Sequence, residues 1–88
     1  MSFFKEIQLK EIQYNFEDAF KLKDLNVSEF VLNEEDNSCK FLVNKKDRIK
    51  VDLSNKKWKL NGLDKGEIFG KSVTDVSGDY LYECSKDR

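Results

Sequence analysis

The segment Arg48 to Gly62, RIKVDLSNKKWKLNG, has the clearest alternating pattern in this chain. Apolar and charged side chains alternate through it on both sides of a polar centre. A period of two is typical of a β-strand whose apolar side chains share one face, so the stretch is predicted to form a hairpin. The predicted turn is centred on Asn55-Lys56. The apolar positions are Ile49, Val51, Leu53, Trp58 and Leu60.

The predicted register of this hairpin pairs similar or complementary side chains. With that turn, Leu53 lies opposite Trp58, and Asp52 lies opposite Lys59. Apolar side chains then meet across the strands, and a carboxylate meets an ammonium group. Trp58 is predicted to be a core residue, because a slip of one residue is needed to move it to the exposed face.

The same alternation is found before this stretch. It runs from Ser28 to Val43 on both sides of the polar sequence EEDNS, and this pattern predicts a second hairpin. After Gly62 the alternation is weaker, and glycines separate short segments. Residues 79–85 are predicted to form a last strand.

The N-terminal part of the chain has a less regular pattern. Residues 3–14 fit either a strand or a helix. A strand with a β-bulge is preferred, because a helix there would be apolar on every side. The best helix candidate is residues 16–25, where Asn15 can cap the free amides of the first turn.

Together these patterns predict a mainly β fold, with an α+β fold as the alternative. The expected architecture is a small antiparallel sheet or a barrel-like fold of five to six strands, with one short helix near residues 16–25. The chain has 88 residues, which is too short for two independent cores. Residues 1–88 are therefore expected to form a single domain.

The residue inventory excludes several kinds of site. The chain has no histidine, so catalytic sites with a histidine base and histidine-based zinc sites are excluded. Its two cysteines, Cys39 and Cys84, have no metal-binding spacing and are predicted to be reduced core residues. Residues 66–72, GEIFGKS, lack the glycine spacing of a phosphate-binding loop. No catalytic residue, cofactor or metal site is predicted.

Charge is distributed unevenly along the chain. The net charge is -1, yet residues 39–61 hold eight Lys or Arg against two Asp. Residues 1–38 hold four Lys against nine Asp or Glu. In the predicted hairpin the outward cations lie on the face opposite Trp58. The predicted partner-binding residues are Lys45, Lys46, Arg48, Lys50, Lys56, Lys57 and Lys59.

Three interpretations of this basic segment stay open. Its cations can be solvated outer positions of a ribbon, which keep a sheet from pairing with other chains. They can contact nucleic-acid phosphates, although a pI near 5.5 is atypical of such proteins. They can meet an acidic protein surface, and the segregated charge also permits self-association.

The function predicted from the sequence is binding rather than catalysis. The first hypothesis is a small non-enzymatic protein that occupies the surface of another protein, as inhibitors, immunity proteins and phage-type modulators do. The alternative is a nucleic-acid-binding module that uses a basic β-ribbon over residues 45–59. The lack of proline and the frequent Lys and Asn are associated with AT-rich bacterial or phage genomes. No apolar stretch is long enough to cross a membrane, so no membrane partner and a cytoplasmic location are expected.

Overall fold

A five-stranded antiparallel sheet with two helices forms the fold. The computed structural model describes the backbone of residues 3–86 and the side chains of residues 10–86. Each strand pairs with the next one along the chain, and this confirms the predicted antiparallel sheet in its α+β form. The elements are α1 (Phe3–Lys21), β1 (Val27–Asn33), β2 (Ser38–Val43), β3 (Asp47–Asp52), β4 (Lys57–Leu60), β5 (Leu63–Glu67), a 3-10 turn (Val73–Asp75) and α2 (Val76–Ser85).

The core lies between one face of the sheet and both helices. Phe41 on β2 is 0% exposed and is at the centre of an aromatic cluster. Its ring centroid lies 5.3 Å from those of Phe16 and Phe20 on α1, and 5.9 Å from that of Phe30 on β1. Trp58 is 3% exposed on the same inner face, so the prediction that it is a core residue is confirmed. Offset and tilted aromatic pairs of this kind add to the stability that burial provides.

The β3–β4 hairpin exists, but its predicted register is wrong by two residues. Val51 pairs with Trp58, and Asp52 pairs with Lys57. The Asp52 carboxylate accepts the backbone N–H groups of Ser54 and Asn55, and this fixes the start of the turn. A shift of two residues keeps every side chain on its predicted face, because the side-chain period of a strand is also two.

Helix α1 corrects two predictions. Residues 3–14 were predicted to be a strand, and the helix was predicted near residues 16–25, yet one helix covers Phe3–Lys21. Two core aromatics, Phe16 and Phe20, lie one turn apart on its buried face. The argument against a helix was that its apolar residues would lie on every side, and the helix does leave one of them, Tyr14, 66% exposed to solvent.

Helix α2 replaces the strand that was predicted at residues 79–85. It follows a capping box, in which the Ser72 N–H donates to the Asp75 carboxylate and the Ser72 hydroxyl accepts the Thr74 N–H. Val76 and Tyr80, one turn apart, are its main buried side chains. The prediction that both cysteines lie in the core holds for Cys39 but is wrong for Cys84, which is exposed on α2.

The β4–β5 hairpin was missed by the sequence prediction, although Asn61-Gly62 is a strong turn signal. Both residues have positive φ values, 52° and 85°. The Asn61 side chain also accepts the Arg48 N–H at 2.9 Å and donates to the Asp47 carboxylate at 3.1 Å. Tyr80 donates its hydroxyl hydrogen to the other oxygen of Asp47 at 2.5 Å, so α2 is tied to the start of β3.

Both edge strands of the sheet are irregular. The pairing of β1 with β2 shifts between Ser28 and Val31, where Glu29 has a φ of 52°. The pairing of β5 with β4 also shifts, and Lys65 is the extra residue. Bulges and charged side chains keep an edge strand from pairing with another chain. Strand addition at either edge is therefore disfavoured.

Candidate functional site

The candidate site is the outer face of the sheet, which lies opposite the core and is here called the open face. The outward positions of β2, β3 and β4 alternate with buried core positions. None of the core residues that the helices contact projects from this face. Most of the outward residues of the open face are exposed to solvent. Its outward residues are Ser28, Val31, Asn33, Ser38, Lys40, Leu42, Arg48, Lys50, Asp52, Lys57, Lys59, Asp64 and Glu67.

Three lysines form a row across the middle of the open face. Lys40 pairs with Lys50, and Lys50 pairs with Lys59, so the three lie side by side on neighbouring strands. Neighbouring strands are about 4.8 Å apart, and like charges placed directly opposite each other destabilise a sheet. These residues, Lys40, Lys50 and Lys59, are called the lysine row.

The lysine row is only partly neutralised. Lys50 lies 3.7 Å from the Asp36 carboxylate in the β1–β2 turn. Within the part of the chain whose side chains are described, no carboxylate lies within ion-pair distance of Lys40 or Lys59. Asp64 on β5 is next to Lys59 in the register and marks one end of the row. The row therefore presents a short stretch of positive potential that ends at a carboxylate.

A second row of polar side chains lies two residues along each strand from the lysine row. It is on the side of the β1–β2 and β3–β4 turns and is called the turn-side row. Its members are small or mixed in charge, which contrasts with the lysine row. The turn-side row consists of Asn33, Ser38, Asp52, Lys57 and Glu67.

Two shallow depressions lie between the two rows. One has a volume of about 210 Å³ and extends from Ser38 to Asp64, and the other has a volume of about 130 Å³ and extends from Val31 to Lys50. Ser38 and Lys50 line both of them. The two depressions share these residues and together border all five strands, and the pair is here called the cross-strand groove. Ser38 is small and 4% exposed, and it lies at the middle of the groove.

Hydrogen bonds favour the ionised form of two carboxylates beside the groove, those of Asp36 and Asp52. The Ser38 hydroxyl donates to Asp36 at 2.6 Å, and this hydrogen bond, followed by the charge of Lys50, lowers the pKa of Asp36. Hydrogen bonds from Asn55 and the N–H of Ser54 lower the pKa of Asp52. Both carboxylates accept hydrogen bonds within the chain, and Asp36 also pairs with Lys50. Among the described side chains, Lys40 and Lys59 have no carboxylate within ion-pair distance.

The structure separates the predicted site residues into three groups. Arg48, Lys50, Lys57 and Lys59 project together from the open face. Lys45 and Lys46 lie in the β2–β3 turn, at the end of the sheet away from Asp36. Lys56 lies on the other side, because its ammonium group donates to the Gly70 carbonyl at 2.7 Å. Lys56 thus has a structural contact, which the charge pattern alone does not reveal.

Three residues of the open face are absent from the site predicted from the sequence: Lys40, Val31 and Ser38. Lys40 belongs to the basic segment 39–61, but only the observed pairing of β2 with β3 brings it beside Lys50. Ser38 carries no charge, and its place in the groove follows from the same register. An explicit pairing of β2 with β3 would have found both residues.

The described residues offer little other site chemistry. In the part of the chain whose side chains are described, no three His, Cys, Asp or Glu residues are placed to hold a metal ion. Burial raises the pKa of the Cys39 thiol to about 12, so this cysteine stays protonated and unreactive. Residues 66–72 comprise the end of β5 and the loop that leads to the 3-10 turn, where Gly70 allows the close approach of Asp75.

Comparison with known proteins gives no relative. No protein-family model, curated protein or solved structure matches the chain. Neither of the described helices is long and apolar enough to span a membrane.

Proposed function

We propose that the chain is a non-enzymatic binding protein that acts by docking its open face on an acidic surface of another protein. An inhibitor or modulator that works by occupying its partner's surface fits this description. The observation that carries the proposal is the lysine row, in which Lys40, Lys50 and Lys59 lie side by side and only Lys50 has a carboxylate partner among the described side chains.

The repulsion within the lysine row supports an acidic partner. Holding three ammonium groups on adjacent strands costs free energy in the unbound protein, since among the described side chains no carboxylate lies within ion-pair distance of Lys40 or Lys59. A carboxylate-rich surface removes this repulsion when it binds. Complementary charge also raises the rate at which partners meet and rejects partners of the same sign.

An acidic protein fits the open face better than a nucleic acid. The open face has no aromatic side chain among its outward residues, because Trp58 is buried on the inner face. Stacking on bases is therefore not available, although it is a main source of affinity for single strands. The overall pI near 5.5 is also atypical of proteins that bind a phosphate backbone.

The proposal is tested by measuring the binding of labelled poly-glutamate and of a labelled mixed-sequence DNA duplex. We expect the wild-type protein to bind poly-glutamate, and to bind it more weakly as salt rises toward about 0.15 M. The triple variant Lys40→Glu, Lys50→Glu and Lys59→Glu is expected to lose roughly tenfold or more in affinity.

A control variant with the same net charge distinguishes an effect of the open face on binding from a general effect of net charge. Lys10, Lys23 and Lys71 are exposed residues outside the open face, and their replacement by Glu changes the net charge by the same amount. This control is expected to stay within about twofold of the wild-type affinity. Equal losses in both triple variants, or tighter binding of the DNA than of poly-glutamate, would overturn the proposal.

A further inference from the structure

The cross-strand groove has a shape that restricts its occupant. It crosses five strands, which places its ends about 19 Å apart. Its walls are the lysine row and the turn-side row, which lie two residues apart along each strand, or about 7 Å. An α-helix with its side chains is about 10–12 Å wide and does not enter such a groove. A single extended chain does, and about six residues cover its length.

The two walls of the groove differ in chemistry. The lysine row supplies ammonium groups from Lys40 and Lys59 that have no carboxylate within ion-pair distance among the described side chains. The turn-side row supplies the neutral side chains of Asn33 and Ser38, followed by the charged side chains of Asp52, Lys57 and Glu67. Side chains of an extended peptide point alternately to opposite sides. A peptide in the groove therefore meets cations on one side and, on the other, neutral side chains followed by side chains of both charges.

From this geometry we infer that the cross-strand groove binds an extended acidic segment of a partner protein, with carboxylates at alternate positions and small polar residues between them. The inference rests on the proposed function and names the element of the partner that is bound. The segment lies across the strands instead of adding to an edge, because β1 and β5 are interrupted by bulges at Glu29 and Lys65. The carboxylate of Asp64 limits the length of acidic chain that the groove accepts.

The test compares two hexapeptides of identical composition and charge, Glu-Ser-Glu-Ser-Glu-Ser and Glu-Glu-Glu-Ser-Ser-Ser, with blocked ends. The alternating peptide can direct all three carboxylates to the lysine row, whereas the block peptide cannot when it is extended. We expect the alternating peptide to bind the wild-type protein about fivefold more tightly, the effect of about one additional ion pair. Isothermal titration calorimetry at low salt measures both affinities.

A variant that fills the groove without changing its charge tests the location. In Ser38→Val the larger side chain occupies the middle of the groove, so the preference for the alternating peptide is expected to disappear. Ser54→Val is the matched control, since Ser54 is also hydrogen-bonded through its hydroxyl but lines neither depression. Thermal unfolding of both variants checks that they are folded. The comparison of the two peptides on the wild-type protein does not depend on either variant.

The outcomes separate this inference from the proposed function. Equal affinity for the two peptides, or binding of poly-glutamate but of neither hexapeptide, overturns the extended-segment inference and leaves the acidic partner in place. A preference that survives in Ser38→Val places the segment elsewhere and also overturns the inference. Preferential binding of the DNA duplex overturns both.

Discussion

The Phe41→Ala variant is expected to lose about 3–5 kcal/mol of unfolding free energy, because it removes the central ring of the core. Phe41 is 0% exposed and its ring contacts three other phenylalanine rings, on α1 and β1. A domain of this size has a total stability of about 5–10 kcal/mol, so the variant retains little of it. Urea unfolding followed by circular dichroism measures the loss.

The same substitution at Phe69 is the control for this prediction. Phe69 is 90% exposed in the loop between β5 and the 3-10 turn, so Phe69→Ala is expected to change the stability by no more than about 0.5 kcal/mol. Equal losses at the two positions would show that Phe41 is not in the core and would contradict the observed packing of α1 against the sheet.

The Tyr80→Phe variant is expected to lose about 2 kcal/mol at neutral pH, since it removes a hydrogen bond to a charged group. Tyr80 is buried and donates to the Asp47 carboxylate, which ties α2 to β3. Burial raises the pKa of Tyr80, so the phenol remains a donor throughout the neutral range. Tyr82→Phe removes an exposed hydroxyl from the same helix and is expected to have almost no effect.

The loss in Tyr80→Phe is also expected to depend on pH. The hydrogen bond from Tyr80, followed by that from Asn61, lowers the pKa of Asp47 below its usual value near 4. A carboxyl whose pKa is lowered by folding stabilises the protein above its unfolded pKa, and this contribution is lost as the pH falls through the folded value. The difference between wild type and variant is therefore largest at neutral pH and narrows below about pH 4. A difference that does not change with pH would contradict the role of Asp47.

The strands were predictable from the sequence because their pattern is local. Alternation over residues 28–43 and 48–60 identifies the first four strands and their inner faces, since a period of two sends every second side chain to the same side. The faces remained correct even though the β3–β4 register was wrong by two residues. That error came from the turn, where Asp52 uses its carboxylate to cap the loop instead of pairing with Lys59.

The helices were less predictable, for a physical reason. In α1 an exposed aromatic, Tyr14, hides the amphipathic pattern, and the buried face is defined only by packing against β1 and β2. In α2 the side chains of Tyr80, Tyr82 and Cys84 have the two-residue spacing of a strand, although only Tyr80 is buried. The capping box at Ser72 is the local signal that marks this helix.

The candidate site was predicted in part. The alternating pattern predicts that the basic side chains of this segment point outward. It correctly predicts that Arg48, Lys50, Lys57 and Lys59 share one face of the sheet. The lysine row depends on the pairing of β2 with β3, which is a contact between distant parts of the chain. Sequence spacing alone therefore left out Lys40 and included Lys56, whose ammonium group is bound to a loop carbonyl.

Amide NMR of the wild-type protein during titration with poly-glutamate decides whether the lysine row is a docking surface for acidic protein. We expect the largest shift changes at Lys40, Lys50 and Lys59 and at Ser38 beside them, and we expect these changes to reverse when salt is added. If the largest changes occur at α1 or at the β2–β3 turn, or if no changes occur at low salt, the lysine row is not the docking surface.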